Sequence, residues 1–284
     1  MNTGSRCSEI FAPGLLEGRV ALVTGGGTGL GKATAEELAR CGAKVTLTGR
    51  REEVLEQAAE ECSGLPGPVE ALAGDVRDPD SAARLISSLL DRHGSFDLLV
   101  NNAGGQFFSP AELIAPKGWQ AVWRLNVEGM LNMSERAHEL AFSGGRGGTI
   151  VNVTLTPHHG MPGMAHSGAA RATVEALTGE LAQRWAADGV TVSAAAAGVF
   201  ETDVLAKYPE AVRSGMAETV PLQRLGTPAE WAWLVVLLAS PLGRAFSGST
   251  ISIDGARDNW WGAWPPPGLA DESGVVPVEE RQGR

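Results

Sequence analysis

Thr24-Gly25-Gly26-Gly27-Thr28-Gly29-Leu30-Gly31 is the stretch of sequence that decides the fold. It directly follows the apolar run Val20–Thr24, a predicted strand, and opens an amphipathic run, a predicted helix. Glycine at such a junction allows a tight turn and lets the backbone approach a pyrophosphate, which the free N–H groups of the helix start attract. The placement between strand and helix favours a dinucleotide site over a purely structural turn. The candidate ligands are Gly25, Gly27, Thr28, Gly29 and Leu30.

Short apolar runs and longer amphipathic runs alternate outward from this stretch, beginning at Gly18. Such alternation is typical of βα units and a parallel sheet. Several apolar runs are continuous rather than alternating, as strands covered on both faces should be. The predicted fold class is therefore α/β, a Rossmann-type, doubly wound parallel sheet with helices on both faces. The predicted strands are Val20–Thr24, Lys44–Thr48, Val69–Ala73, Leu98–Asn101, Thr149–Val153, Thr191–Ala196 and Thr250–Ile253.

The bulk composition limits the classes of partner. The chain has 284 residues and a formal net charge of −10, which disfavours a nucleic-acid or membrane-surface partner because phosphates attract basic surfaces. Three scattered cysteines, Cys7, Cys41 and Cys62, are too few for a disulfide framework or a zinc site. The sequence shows no secretory signal and no apolar run of membrane-spanning length, so we expect a cytoplasmic protein.

The domain organisation follows from the even composition of the chain before residue 255. We predict a single domain over residues 1–256, with residues 1–17 as an N-terminal arm. The tail 257–284 holds a tryptophan cluster that is too apolar to stay solvated. We therefore expect the tail to pack on the domain or on a neighbouring subunit. The cluster consists of Trp260, Trp261 and Trp264.

The second predicted strand ends in Thr48-Gly49-Arg50-Arg51. An NAD-specific site would carry a carboxylate near Gly49 to bind the ribose 2′-hydroxyl. Two arginines follow here instead, and their guanidinium groups suit a 2′-phosphate through charge-assisted hydrogen bonds. The sequence therefore favours NADPH or NADP as the cofactor, with Arg50 and Arg51 among its ligands. The alternative is that both arginines are solvated loop charges.

Two further strand ends carry groups that suit a nucleotide cofactor. Gly74-Asp75-Val76 closes the third predicted strand, where a carboxylate can accept a hydrogen bond from an adenine amino group. Asn101-Asn102-Ala103-Gly104 follows the fourth, where short polar side chains can tie neighbouring strands together and border the cofactor. Neither string is specific alone, but together, at the ends of successive strands, they support the same site. The candidate ligands are Asp75, Val76, Asn102, Ala103 and Gly104.

These segments, with Asn126 and Gly198–Thr202 after them, occur in an order that resembles the short-chain dehydrogenase/reductase family. The strings Gly104–Phe107 and His166–Ala172 are similar to those of the peroxisomal trans-2-enoyl-CoA reductases, and the 2,4-dienoyl-CoA reductases share the general pattern. The resemblance implies a seven-stranded parallel sheet with helices on both faces and an oxidoreductase. It also implies a homotetramer or a homodimer.

The catalytic motif departs from the pattern of that family. The family carries Ser, Tyr and Lys, the last two spaced Tyr-x-x-x-Lys, and Ser167 and Arg171 fill that spacing here. The only tyrosine in the chain is Tyr208, outside the motif. Arg171 can hold the nicotinamide ribose and supply positive charge but cannot give up a proton, and Ser167 is a poor general acid. Ordinary carbonyl reduction is therefore disfavoured.

Several nearby groups are candidates for the missing hydroxyl and the missing acid. Thr154 or Thr156 stands near the place of the family serine, and the loop length leaves that choice open. His158, His159 and His166 can donate protons near neutral pH, against the alternative of loop or packing histidines. The adjacent histidines do not have metal-ligand spacing on any obvious scaffold, so no metal site is predicted.

Asn126 and the segment after the sixth strand complete the implied site. The resemblance implies that Asn126 maintains a helix kink and a water-bearing proton path. The Pro-Gly-x-x-x-Thr pattern of the family reads Ala197-Gly198-Val199-Phe200-Glu201-Thr202 here. Gly198 and Thr202 are therefore implied cofactor ligands, with Thr202 on the carboxamide, and the loss of the proline is expected to leave the segment freer. The following stretch, to Ala217, is the implied substrate lid, with a plain surface helix as the alternative.

Enoyl reduction is a reaction that the altered motif still allows. Hydride goes to the β-carbon of a thioester, and the site needs chiefly a stabiliser of the thioester oxygen and a proton source for the α-carbon. We therefore expect an NADPH-dependent reductase of an α,β-unsaturated acyl thioester or a similar activated substrate, small or carrier-bound. Two alternatives stay open: a redox-neutral enzyme such as a cyclase, isomerase or dehydratase, and a non-catalytic NADP-binding protein.

Overall fold

Seven parallel strands form one sheet in a computed structural model that describes residues 6–156, 158, 163–203, 205 and 215–259. The strand order is β3-β2-β1-β4-β5-β6-β7, so the winding direction reverses between β1 and β4. Ligands of such sheets bind outside the carboxyl ends of the strands at that reversal. The predicted fold class is confirmed. The strands are β1 Val20–Thr24, β2 Lys44–Gly49, β3 Val69–Ala73, β4 Leu98–Asn101, β5 Gly148–Leu155, β6 Val190–Ala197 and β7 Thr250–Ile253.

Helices connect the strands, because neighbouring parallel strands need a long crossover connection. Two helix starts show why the sequence begins a helix there. Asp78 accepts a hydrogen bond from the Asp80 N–H ahead of the third helix, and Thr227 forms a capping box with Glu230 ahead of the last. The helices are α1 Gly29–Arg40, α2 Glu52–Glu61, α3 Pro79–His93, α4 Pro116–Trp123, α5 Gly129–Ala137, α6 Ala165–Trp185 and α7 Pro228–Ala239.

The core lies in two layers, one on each face of the sheet. Residues of even number along β1, such as Leu22, pack with α3, α5 and α6, whereas residues of odd number, such as Val23, pack with α1, α2 and α7. The period of two along each strand sends alternate side chains to opposite faces. Both faces of the central strands are therefore buried, which explains their continuous apolar sequence.

The chain termini lie against this core as far as the structure describes them. Leu16, in the predicted N-terminal arm, is buried and donates its N–H to the Cys41 carbonyl at 2.9 Å, so residues 6–17 lie along α1 rather than projecting from it. A 3₁₀ turn at Arg257–Asn259 begins the tail. The tryptophan cluster of the tail lies outside the described residues.

Two chemical features of the described part of the chain bear on its environment. Cys41 and Cys62 are buried free thiols, and burial raises the pKa of each to about 11. None of the helices within the described ranges is both long and apolar enough to cross a bilayer.

Candidate functional site

A cleft of about 760 Å³ opens at the carboxyl ends of the strands, over the point where the winding reverses. A second groove, of about 620 Å³, runs along Glu56–Ala71 at the β3 edge and contains none of the candidate residues. The large cleft brings together nearly all the predicted cofactor ligands. Those that line it are Gly25, Gly27, Thr28, Gly29, Leu30, Arg50, Arg51, Asp75, Val76, Asn102, Ala103, Gly104, Arg171 and Thr202.

The glycine-rich turn is shaped by a close approach to Asn102. The Asn102 Nδ2 donates to the carbonyls of Thr24 at 2.9 Å and Gly25 at 3.2 Å, which ties the turn to the end of β4. A Cβ atom on Gly31 would lie 2.4 Å from both the Asn102 Nδ2 and the Gly25 oxygen, so only glycine fits there. Thr28 makes no side-chain cap on α1, and the first N–H groups of the helix remain for a phosphate. These residues fit a dinucleotide.

The end of β2 supplies positive charge to the cleft. Gly49 ends the strand, and Arg50 and Arg51 follow it as exposed side chains on the cleft wall. Neither guanidinium has an ion-pair partner within the described ranges. No carboxylate lines the cleft at the position where a ribose 2′-hydroxyl would be bound.

Asp75 is held differently from the sequence expectation. Its carboxylate accepts hydrogen bonds from Arg77 through the backbone N–H at 3.0 Å, Nε at 2.9 Å and Nη2 at 2.5 Å. Arg77 chiefly, and Arg50 more weakly, hold the pKa of Asp75 below its usual range. Most of the acceptor capacity of the carboxylate is therefore engaged by Arg77 before any adenine amino group arrives.

Arg171 is a buried cation at the floor of the cleft. Its Nη1 donates to the Val153 carbonyl at 2.7 Å, and its Nε has no hydrogen-bond partner within the described chain. Burial lowers the pKa of this arginine to about 10, which still leaves it charged at neutral pH. A Cβ on Gly104 would lie 2.2 Å from the Arg171 Nη2, so glycine at 104 makes room for the guanidinium. No carboxylate of the described residues pairs with Arg171, and the cleft therefore offers an anion a desolvated positive charge.

Gln106 is a site residue that the sequence reasoning missed. It lines the cleft, and its Oε1 accepts a hydrogen bond of 2.7 Å from the hydroxyl of Ser167, which is fully buried behind it. Ser167 therefore reaches the cleft only through Gln106. The signal was available, because Gln106 stands five residues after β4, within one of the strings that carried the family resemblance.

Asn126 fixes the loop that carries Gln106. Its amide Nδ2 donates to the carbonyls of Gly105 at 2.9 Å and Val122 at 2.7 Å, and its Oδ1 accepts from the Gly105 N–H at 3.2 Å. The residue lies in a π-helical turn, Arg124–Glu128, that interrupts the run from α4 to α5. A π turn of this kind is a recognised feature of functional sites. Asn126 itself does not line the cleft.

The two candidate threonines point away from the cleft. The Thr154 hydroxyl donates to Glu175 Oε1 at 2.8 Å, and the Thr156 hydroxyl contacts the Ala197 carbonyl at 3.5 Å. Leu155, between them, lines the cleft together with Val153. Alternation along β5 is the physical reason, since neighbouring residues of a strand face opposite sides. The prediction of a threonine hydroxyl in the cleft is therefore wrong for Thr154 and Thr156.

The described histidines are also removed from the cleft. His158 contacts Asp258 through Nδ1 and Glu175 through Nε2, the latter at 3.0 Å. Burial opposes protonation, but the bond to Asp258 and the charges of both carboxylates raise the pKa of His158 overall. His158 is thus the centre of a structural ion cluster. His159 lies outside the described residues.

His166 is buried with both ring nitrogens unpartnered in the described part of the chain. It packs edge-on against Phe107, with ring centroids 4.3 Å apart, and against Trp119. Burial lowers its pKa, so the ring is neutral at physiological pH. His166 is a packing residue behind the aromatic wall of the cleft.

The segment after β6 remains paired although Ala197 replaces a proline. Gly198 donates its N–H to the Ile253 carbonyl at 3.0 Å, and Glu201 donates to Gly226 at 2.9 Å. These backbone bonds continue the pairing beyond the strand in the absence of the proline. Gly198 packs on the end of β7 and does not line the cleft, whereas Thr202 does. Tyr208 and most of the implied lid lie outside the described residues.

The end of the cleft beyond Arg171 is apolar. Phe107 and Phe108 are both close to half exposed there, and Leu125 and Leu155 complete the wall. Large exposed aromatic side chains in a concave site mark a surface for an apolar ligand. No cluster of metal-ligating side chains occurs within the described ranges.

Comparison with known proteins finds relatives that are reductases of acyl thioesters by name. A family model described as Enoyl-(Acyl carrier protein) reductase matches residues 25–256. A probable 2,4-dienoyl-CoA reductase of Bacillus subtilis is 35% identical over 255 residues, which cover 88% of this chain and 100% of that protein. A peroxisomal 2,4-dienoyl-CoA reductase of Arabidopsis thaliana is 33% identical over 86% of each chain.

A solved structure agrees with these sequence relatives. The citronellol catabolism dehydrogenase of Pseudomonas aeruginosa superposes with a TM-score of 0.79 at 40% identity, covering 88% of this chain and 98% of that one. The superposition supports the fold described above.

Proposed function

The chain belongs to the short-chain dehydrogenase/reductase family, an oxidoreductase family that includes 2,4-dienoyl-CoA reductases, and we propose that it reduces an α,β-unsaturated acyl thioester with NADPH. The single observation that carries this proposal is Arg171, a buried guanidinium in the cleft without a carboxylate partner in the described chain. A fixed charge of this kind stabilises negative charge that develops on a substrate oxygen.

The residues of the cleft fit a dinucleotide, as the contact of Gly31 with Asn102 and the uncapped start of α1 indicate. Members of this family generally bind NAD(P)(H). When bound, the reduced cofactor supplies the hydride for the β-carbon of the substrate. The protein would hold the phosphates on the α1 N-terminus and the nicotinamide ribose near Arg171.

NADPH is proposed over NADH because of the positive charge at the end of β2. Arg50 and Arg51 border the cleft just beyond β2, and they face it without ion-pair partners in the described ranges. A phosphate on the ribose would gain charge-assisted hydrogen bonds there, whereas a free hydroxyl would find no carboxylate to receive it.

Gln106 and Arg171 would together stabilise negative charge on the substrate oxygen. The Gln106 carbonyl is occupied by the Ser167 hydroxyl, so its NH₂ group is left to donate into the cleft. Such a donor stabilises an enolate oxygen, and Arg171 adds its field from the cleft floor. Leu155 presents only an apolar side chain to the cleft, and we assign the α-carbon proton to water.

The substrate class follows from the apolar end of the cleft. Phe107, Phe108 and Leu125 form an apolar surface that an acyl chain would cover. A small polar ketone would leave that surface exposed to water. The Bacillus and Arabidopsis relatives are 2,4-dienoyl-CoA reductases by name. The substrate in those names and the one proposed here both carry an alkene conjugated to a thioester carbonyl, although only the α,β-unsaturated thioester takes the hydride at its β-carbon.

We also propose a homo-oligomeric, cytoplasmic enzyme. Of the eight residues of α4 only Val122 is buried, and Trp119 and Trp123 lie on its exposed side. Burying such a helix against a second copy would remove apolar surface from water. Light scattering coupled to gel filtration would measure the mass, and a monomer at micromolar concentration would contradict the assembly.

The test of the activity is a substrate panel. Purified protein is mixed with NADPH and trans-2-enoyl and 2,4-dienoyl thioesters of graded chain length, and absorbance at 340 nm is followed with product mass. We expect NADPH loss matched by a mass gain of two hydrogens. The matched controls are the 3-oxoacyl thioesters of the same length, which require carbonyl reduction.

The other outcomes separate the alternatives. Reduction of only the 3-oxoacyl controls would replace the proposal by carbonyl reduction. Conversion of a substrate without any change at 340 nm would indicate a redox-neutral enzyme. Tight NADPH binding with no conversion of the panel would indicate a non-catalytic binding protein.

A further inference from the structure

Arg77 and Asp75 form an ion pair at the edge of the cleft that the proposed mechanism does not use. Arg77 lies on the turn between β3 and α3, and it does not line the cleft, whereas Asp75 does. The Arg77 Nη2 approaches Asp75 Oδ2 at 2.5 Å, and Nε lies 2.9 Å from Oδ1 and 3.1 Å from Oδ2. The ion pair is thus bidentate, and Arg77 binds the Asp75 carboxylate from outside the cleft lining.

The backbone holds the pair in one geometry. The Arg77 N–H also donates to Asp75 Oδ1, and the Asp75 N–H donates to the Ser81 hydroxyl, both at 3.0 Å. Asn132 on α5 donates to the Val76 carbonyl at 2.9 Å. The turn is therefore anchored to α3 and α5, and the Asp75 carboxylate is aimed at Arg77.

The charges around this edge explain why the position of the Asp75 carboxylate would affect the binding of a phosphate. Arg50 and Arg51 face the cleft from the end of β2, and Asp75 lies close enough that Arg50 contributes to lowering its pKa. A carboxylate released into the cleft there would repel a ligand phosphate and would compete for Arg50. Arg77 removes both effects by occupying the carboxylate.

We propose that Arg77 is a specificity-determining positioning residue, which holds Asp75 away from the 2′-phosphate and so preserves the preference for NADPH over NADH. The inference rests on the proposed use of NADPH. Arg77 acts through Asp75 rather than by contact with the cofactor, because Asp75 and not Arg77 lies on the cleft wall.

The experiment measures binding and needs no turnover. Dissociation constants for NADPH and NADH are determined by isothermal titration for the full chain and for Arg77→Met, Arg77→Lys and Arg84→Met. Arg84 is the matched control, since it is an exposed arginine on α3 that pairs with Asp78. We expect Arg77→Met to reduce the NADPH-over-NADH ratio about fivefold, the effect of one partly exposed charge pair. Arg77→Lys should restore most of the ratio, and Arg84→Met should leave it unchanged.

A second background tests whether Arg77 acts through Asp75. In Asp75→Asn, the same Arg77→Met change should alter the ratio less than about twofold, because no carboxylate is left to release. An equal loss in both backgrounds would overturn the inference, as it would assign the effect to the charge of Arg77 itself. An unchanged ratio in Arg77→Met would overturn it as well.

Failure of the inference is distinguishable from failure of the proposed function. If the unmodified chain binds NADH as tightly as NADPH, the proposed cofactor is wrong and the inference falls with it. If the unmodified chain prefers NADPH and Arg77→Met keeps that preference, only the role of Arg77 is wrong.

Discussion

The two ends of the cleft are built in different ways. The adenosine end is assembled from short segments at the carboxyl ends of β1, β2 and β3, namely Gly25–Gly31, Gly49–Arg51 and Gly74–Val76. The Arg50 and Arg51 side chains there are exposed. The far end joins Gln106 to Ser167, 61 residues apart, over a buried Arg171. The adenosine end is therefore formed by residues that are neighbours in sequence. The far end is formed by residues that become neighbours only when the chain folds.

This difference has an energetic consequence. Exposed arginines interact through water and salt, so each contributes little to stability and its effect on a ligand is moderate. A desolvated guanidinium acts through a low dielectric, so its effect on a reacting oxygen is large and its burial is costly. We therefore expect the adenosine end to select the cofactor and the far end to carry the chemistry.

Arg171→Met should produce the largest effect. Removal of one preorganised charge at a developing oxyanion lowers kcat/KM by about 10²- to 10³-fold. The melting temperature should stay the same or rise, because an unpaired buried cation is replaced by an apolar side chain of similar size. Steady-state kinetics and calorimetry check both parts.

Arg184→Met is the control for this change, as Arg184 is exposed near the end of the same helix. It should leave kcat/KM within about twofold. Unchanged activity in Arg171→Met would remove the basis for treating the far end as the chemical one.

The combined change Arg50→Ser and Arg51→Ser should have the next largest effect. Loss of charge-assisted bonds to a 2′-phosphate weakens NADPH binding by about ten- to a hundredfold, whereas NADH binding should hardly change. Fluorescence titration with both nucleotides measures the effect, and Arg146→Ser, on a distant exposed loop, is the control. Equal weakening of both nucleotides would assign the arginines to general phosphate attraction rather than to selection.

Ser167→Ala and Gln106→Leu should have smaller and coupled effects. Each lowers kcat about tenfold, and the double variant should be less impaired than the product, with a coupling free energy of about 1 kcal/mol for their hydrogen bond. Thr173→Ala, which removes another hydroxyl from α6, is the control. Strict additivity would show that Ser167 does not act through Gln106.

His158→Asn should have the smallest effect, and on stability rather than on chemistry. The pKa of His158 is raised in the folded state by Asp258 and Glu175, against the opposing effect of its burial. Its contribution is therefore present below the unfolded pKa of about 6.5 and is lost as pH rises through the folded-state value. We expect the variant to lose about 1 kcal/mol at pH 6 and much less at pH 9.

Denaturant unfolding at both pH values measures this difference. An equal loss at pH 6 and at pH 9 would show that His158 stabilises the β5–α6 junction by packing instead of by charge. Cofactor affinity should be unchanged, since His158 does not line the cleft.

The residues that line the adenosine end of the cleft could be predicted almost completely from the sequence. These candidate ligands follow glycine-rich or polar strings at strand ends, and parallel strands bring their carboxyl ends to one edge. Thr202 and Arg171 were found through the spacing of a family motif. Gly198, which the same motif implied, donates its N–H to Ile253 of β7 and does not line the cleft.

The far end could not be predicted because its residues are selected by orientation. Sequence spacing placed Thr154 and Thr156 near a hydroxyl position, but the register of β5 turns Leu155 to the cleft. His158 could donate a proton by its chemistry, yet Asp258, a hundred residues away, holds it in a separate cluster. Neither fact is encoded in local sequence.

The sequence by itself determined the parallel sheet, the dinucleotide turn and the absence of a Tyr-Lys pair, because these depend on strand periodicity, glycine placement and residue identity. Tertiary structure decided which side chains meet at the cleft and directly behind it: Gln106 with Ser167, and Arg171 beneath Gly104. The physical reason is that direction and burial are properties of packed elements. A side chain acquires its partner, its desolvation and its pKa only when distant segments enclose it.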